Sequence, residues 1–174
     1  SGRSIRTGGI MVKPVIDEFI GNLNESLESL ELNPYEIIEG GDDEFTAYSN
    51  GSTAALITHT NGISIYLSPL LETDEILGED KEQAKINLWL NNIISQISLQ
   101  QIVKEISQTD DSRASDAIRL LMTLVERDRY RRRTTIRVNG LELTAVPSAS
   151  ILTIIVKSLD SDENIWYNYS RRVG

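Results

Sequence analysis

The apolar positions of this chain change period several times, and each change marks a new element. Val15, Phe19, Leu23, Leu27 and Leu30 recur every three to four residues, which lines one face of a helix. Pro14 suits the first turn, where its missing N–H would be unpaired anyway. Asp17 and Glu18 complement the positive end of the helix dipole. Asn33-Pro34 is the expected stop, because a residue before proline is pushed out of the α region. From Tyr35 the period shortens. Tyr35 to Glu39, Glu44 to Ser49, Thr53 to Thr60 and the alternating Ile63, Ile65 and Leu67 read as four short strands, and Pro69 ends the last. Gly40-Gly41-Asp42-Asp43 is turn chemistry. Asn50-Gly51 and Asn61-Gly62 can supply the positive φ angles of type I′ turns, so the four strands predict an antiparallel meander.

Helical spacing then returns. Ile86, Trp89, Leu90, Ile93, Ile94 and Ile97 predict one inward stripe. Ser98 interrupts it. Ser98 and Gln101 have capping-box spacing, so either a new helix restarts there with Ile102, Val103 and Ile106, or one bent helix runs through. Asp110 or Asp111 is the expected N-cap of the next helix, whose apolar face is Ala114, Ala117, Ile118, Leu121, Leu124 and Val125. This helix runs out near Tyr130. Thr134 to Val138 and Leu141 to Val146 flank a third Asn-Gly pair, and Pro147 to Ser150 reads as a loop. Ile151 to Val156 is apolar without alternation, which predicts a strand covered on both faces. Trp166, Tyr167 and Tyr169 predict a last edge strand that packs its rings on the core, with a role as interface anchors the alternative. Strands grouped apart from helices indicate an α+β fold: one domain over 11–174, with an antiparallel β-meander, a C-terminal β-hairpin plus strand, and three to four helices. Residues 1–10 precede the first methionine and read as a disordered leader outside that domain.

Composition adds exclusions. The chain has 174 residues, 40% hydrophobic and 25% charged, the profile of one ordinary globular domain. It has no cysteine, which excludes a disulfide framework, a zinc-thiolate site and a cysteine nucleophile. No apolar run reaches the roughly 20 residues of a membrane span, so no membrane partner and a cytoplasmic location are expected. Net charge is −9, but it is unevenly placed. Pro14 to Asp80 holds fifteen acidic residues and no Lys or Arg, whereas the remainder is net basic. Such asymmetry bears on partners rather than on fold.

Candidate chemistry is sparse. His59 is the only histidine, and no G-x-S-x-G accompanies it, so a serine triad has no sequence support. Asp42-Asp43-Glu44 offers hard oxygen ligands but lacks the spacing of a calcium loop. Gly40-Gly41 has neither the P-loop nor the dinucleotide-binding pattern. No catalytic residue, metal site, cofactor or small-molecule substrate is therefore predicted. The run Arg127, Arg129, Arg131, Arg132, Arg133 and Arg137 could grip phosphate. Glu126 and Asp128 interleave with it, however, and the whole chain is acidic, which argues against nucleic acid. The expectation is a non-enzymatic protein-interaction module, of adaptor, chaperone-like or virion-assembly type. It would bind a basic protein or a second copy, as a homodimer, through Glu36, Glu39, Asp42, Asp43, Glu44, Glu72, Asp74 and Glu75. Arg129, Arg131, Arg132 and Arg133 would form the complementary surface, with Trp166 and Tyr167 as aromatic anchors. Two alternatives are an inhibitor that imitates nucleic acid and a nucleic-acid binder using Arg127 to Arg137.

Overall fold

The computed structural model describes residues 11–67, 93–148 and 151–173. Within them the order is α1 (Val12–Ser29), β1 (Glu36–Gly40), β2 (Phe45–Ser49), β3 (Ala54–His59), β4 (Gly62–Leu67), α2 (Ile93–Ser107), α3 (Asp111–Arg127), β5 (Thr134–Val138), β6 (Leu141–Ser148), β7 (Ile151–Ser158) and α4 (Ile165–Val173). All strands join one antiparallel sheet in the order β1-β2-β3-β4-β7-β6-β5. The two β-blocks of the sequence are thus one surface, sewn together where β4 meets β7. This is the expected α+β domain. The predicted leader 1–10, the acidic connector with Glu72, Asp74 and Glu75, and the apolar positions Ile86, Trp89 and Leu90 lie outside the described residues.

One sheet face carries the core. Leu56, Ile65, Ile154 and Ala145 lie in register across four strands, and Ile63, Val156, Leu143 and Ile136 form the next row. All eight are buried. The helices cover this face: α2 packs against α1 and α3, and α1 also meets α4. The opposite face is half-exposed, with Phe45, Ile57, Tyr66, Thr153 and Ile155. β7 therefore alternates between buried Leu152, Ile154 and Val156 and partly exposed Thr153 and Ile155. Its continuous apolar run predicted cover on both faces, but only one face is covered. Thr153 and Ile155 are flanked instead by neighbours on β4 and β6.

The turns depart from expectation in an instructive way. Only Asn139-Gly140 is a two-residue type I′ turn, with φ of 45° and 82° and Val138 paired to Leu141. At Asn50-Gly51 only the glycine has positive φ. Asn50 is buried there, its amide donating to Asn33 O and Ser98 Oγ. At Asn61-Gly62 the pairing of His59 with Gly62 makes Thr60-Asn61 the turn, and neither has positive φ. The Asn61 carboxamide instead accepts from Ile165 N. In both cases asparagine serves a distant partner, which a local turn rule cannot register. Pro147 is also strand rather than loop: it pairs with Leu152, beyond the last β5 partner at Ala145, so its missing N–H costs no ladder bond to β5.

The helices show similar corrections. α1 starts at Val12, which places Asp17 and Glu18 past its first turn. It ends before Asn33-Pro34, with Leu32 N bonded to Leu27 O and Glu31 in the left-handed region. α2 and α3 end likewise, with Gln108 and Arg129 left-handed. This is the Schellman ending, built three times without glycine. α2 runs straight through Ser98, and its buried face is Ser95, Ser98, Leu99, Ile102, Val103 and Ile106. Ile93 and Ile94 are exposed and Ile97 half-buried, so the predicted stripe is rotated. The cause is polar: Ser95 Oγ accepts from Thr53 N and also bonds Thr53 Oγ1. α3 has the expected cap, Asp110 accepting from Arg113 N.

Two substitutions of opposite sign test these backbone assignments. Gly40 has φ +79°, and an added Cβ would sit 2.3 Å from Phe45 O. Gly40→Ala should destabilise by more than the roughly 1–2 kcal/mol of the left-handed penalty alone. Gln108→Gly should instead stabilise by roughly 1 kcal/mol, since glycine fits that position without strain. Urea unfolding midpoints read both effects.

Candidate functional site

Of the predicted acidic residues, Glu36, Glu39, Asp42, Asp43 and Glu44 are described, and they fall at one edge of the sheet. β1 is the outermost strand on that side, and all five of its residues are exposed. A bulge between Ile37 and Glu39 shifts the register, so Glu36 pairs with Ser49 and Glu39 with Ala47. An unbulged strand would send positions 36 and 39 to opposite faces; the extra residue puts both carboxylates on the open face. Ile37 and Ile38 are 56% and 64% exposed. Beyond Gly40 the turn carries Asp42, Asp43 and Glu44. Asp42 Oδ1 accepts from Glu44 N and Phe45 N, which holds the turn in shape. Asp43 is half-exposed, with one shielded oxygen that has no hydrogen-bond partner. Among the described residues no group of three His, Asp or Glu side chains converges to hold a metal ion.

The predicted arginines fall at the other edge. β5 ends the sheet on that side, about 29 Å from β1 for six inter-strand gaps. Arg129, Arg131, Arg132 and Arg133 lead into it, and all are exposed, as is Arg137 within it. The type I′ turn fixes the polarity of this edge. Val138 and Leu141 form the hydrogen-bonded pair beside the turn, so Ile136 and Thr134 also bond inward to β6. The N–H and C=O of Thr135 and Arg137 therefore point out of the sheet. Glu142 sits in register between Arg137 and Lys157, which tempers the positive charge on the open face.

The ion pairs among the described residues are Lys13–Asp17, Lys104–Asp111 and Arg119–Asp116. None involves the acids of the β1 edge or the arginines of the β5 edge. The two charged edges are thus separated in space, and neither forms an ion pair with a described neighbour.

The aromatic anchors divide. Trp166 is fully buried, and α4 is a helix rather than the expected edge strand. Its ring lies 5.4 Å from that of Phe19, and Nε1 donates to His59 O. Trp166 is a core residue and not a surface anchor. Tyr167 is half-exposed beneath the Arg171 guanidinium, 4.9 Å from its ring centre. Sequence reasoning missed the cap that creates α4: the Asn164 carboxamide accepts from Trp166 N and donates to Thr60 O. The signal was an asparagine just before an apolar–aromatic run. His59 Nε2 lies 3.1 Å from Ser64 Oγ on the open face. No hydrogen bond joins its other ring nitrogen to a carboxylate among the described residues.

Comparison with known protein families, with characterised proteins and with solved structures found no match to this chain. No helix among the described residues is long and apolar enough to cross a membrane.

Tyr169 ties three helices together. Its hydroxyl donates to Glu105 Oε2 at 2.5 Å and accepts from the Asn22 amide at 2.9 Å. Burial first, and the Glu105 carboxylate second, push its phenol above the ordinary tyrosine range. Burial does the same to Tyr35, whose hydroxyl donates to Ala54 O. A phenol raised in the folded state gives stability that is intact below about pH 10, the unfolded value, and is lost as pH climbs above it. Stability should therefore fall from pH 10 upward, and Tyr169→Phe should flatten that slope while lowering stability at pH 8. Denaturant titrations at stepped pH provide the check. Trp166→Ala should cost about 3–5 kcal/mol, as for other buried aromatics, whereas Tyr167→Ala should cost far less.

Proposed function

We propose that the chain is a non-enzymatic interaction module whose β1 edge receives an extended, basic protein segment. One observation carries this reading. The edge is open along all of β1, and its carboxylates, Glu36 and Glu39 on the strand with Asp42, Asp43 and Glu44 in the adjoining turn, have no ion-pair partner among the described residues. An open edge offers unpaired N–H and C=O groups to a visiting strand, and backbone bonding supplies affinity without demanding a particular sequence. Ile37 and Ile38 add apolar area that pairing would cover. The field of one sign selects a basic visitor and speeds its arrival.

Native sheets usually blunt such an edge with lysine, proline or a bulge. Here the bulge is present, but it turns the two glutamates to one face instead of breaking the strand. That arrangement suits reception of a cationic strand better than avoidance of all strands.

A labelled peptide alternating Arg with Val is the direct probe. It should bind at about 20 mM salt and lose most affinity near 1 M, where the screening length shrinks to about 3 Å. Glu36→Lys with Glu39→Lys should weaken it at least about tenfold, a loss of roughly 1.4 kcal/mol. Unchanged affinity in that variant would remove β1 as the site. A short DNA duplex serves as control: binding that Arg131→Glu abolishes would assign the arginine run to phosphate instead.

A further inference from the structure

We infer that the basic strand received by β1 is the β5 edge of a second copy, so that copies add head to tail into one continuing sheet. This rests on the edge reading above and gives its partner a chemical identity. Three features favour it. The charges are complementary: Glu36 and Glu39 stand on one edge, and Arg133 and Arg137 stand at the other. Both edges are unpaired among the described residues, being the two ends of the strand order. β5 also presents the N–H and C=O of Thr135 and Arg137 outward, at the residues whose side chains lie on the open face.

Geometry sets the form of the assembly. Seven strands, each antiparallel to the next, leave β1 and β5 running in the same direction. A copy that keeps its helices on the same side therefore brings β5 to β1 in parallel. The competing two-fold arrangements pair β1 with β1 or β5 with β5. They set glutamates against glutamates or arginines against arginines, and like charges on facing strands are destabilising. Sheet twist adds about 20–25° per strand, so each new copy is turned by roughly 140–175° relative to the last. A head-to-tail contact whose rotation does not close gives an open filament rather than a ring. The expected homodimer of the sequence reading becomes the first step of this series.

A charge swap tests it by sedimentation velocity on the full chain. At about 20 mM salt the wild type should grow beyond the 19.5 kDa monomer with concentration, and should return to it near 1 M salt. One variant carries Glu36→Lys and Glu39→Lys; the other carries Arg133→Glu and Arg137→Glu. Each alone sets like charges against each other at the contacting positions and should stay monomeric. Mixed in equal amounts they should associate again, since each restores the other's complement. Circular dichroism melts confirm that both are folded; if either is not, the single changes Glu39→Lys and Arg137→Glu replace it. A wild type that stays monomeric at every concentration overturns the inference. So does association that each variant retains alone, or a mixture that stays monomeric. A monomeric wild type that still binds the Arg–Val peptide removes the second copy as partner and leaves the edge reading standing. Loss of both removes both.

Discussion

The pairing of β4 with β7 is the constraint on which the arrangement of this molecule depends. Residues Ile63 to Leu67 pair with Leu152 to Val156 across a separation of roughly ninety residues, a long loop to close before any contact rewards it. Without that seam the meander and the C-terminal hairpin would be two small sheets, each with its own pair of edges. With it there is one sheet, and the acidic strand and the arginine-rich strand become its opposite ends. Central Ile65 and Ile154 are fully buried at the seam. The electrostatic character of the surface is therefore decided by hydrophobic pairing in the middle of the sheet.

The helical layer holds this seam from one side only. α4 is short, yet it reaches the β3–β4 turn through Asn164, Ile165 and Trp166, and reaches α1 and α2 through Tyr169. Phe19 receives both rings, at 5.4 Å from Trp166 and 5.7 Å from Tyr169. Aromatic contacts of this kind contribute about 0.5–1.5 kcal/mol beyond the area they bury. A second polar joint, Asn50 and Thr53 with Ser98 and Ser95, docks α2 on the β2–β3 loop. Buried hydrogen bonds are expensive to leave unmade, so these small polar side chains fix the rotation of α2 together with buried Ile102 and Ile106.

Separation of charge is costly only if the opposite charges cannot meet. Within one subunit the β1 carboxylates and β5 arginines cannot, because the sheet holds them apart. The described ion pairs are short-range and exposed, and exposed pairs contribute little. Among the described residues two edges of opposite charge are thus left without ion pairs at a fixed spacing. The bulge at Ile38 sharpens this, since it aligns the acids without closing the edge.

Much of the fold was legible along the chain because it depends on local period. Helical spacing marked α1 and α3, Asp110 announced its cap, and Asn139-Gly140 set the β5–β6 register. The charge partition was equally plain, since it needs only counting. What the chain could not show were features created by distant partners. Asn50 and Asn61 read as turn formers, yet their carboxamides serve Ser98 and Ile165. Trp166 was a candidate interface anchor on an edge strand, yet it lies on a helix where Phe19 and the His59 carbonyl enclose it. Ser98 read as a break, yet the β2–β3 loop makes it part of the buried face. The sequence by itself determined most of the elements, the α+β class and the amount of charge of each sign. The tertiary structure alone decided that the two β-blocks form one sheet and that opposite charges lie on opposite edges. Strand order is a matter of long-range pairing, and no local pattern of residues encodes it.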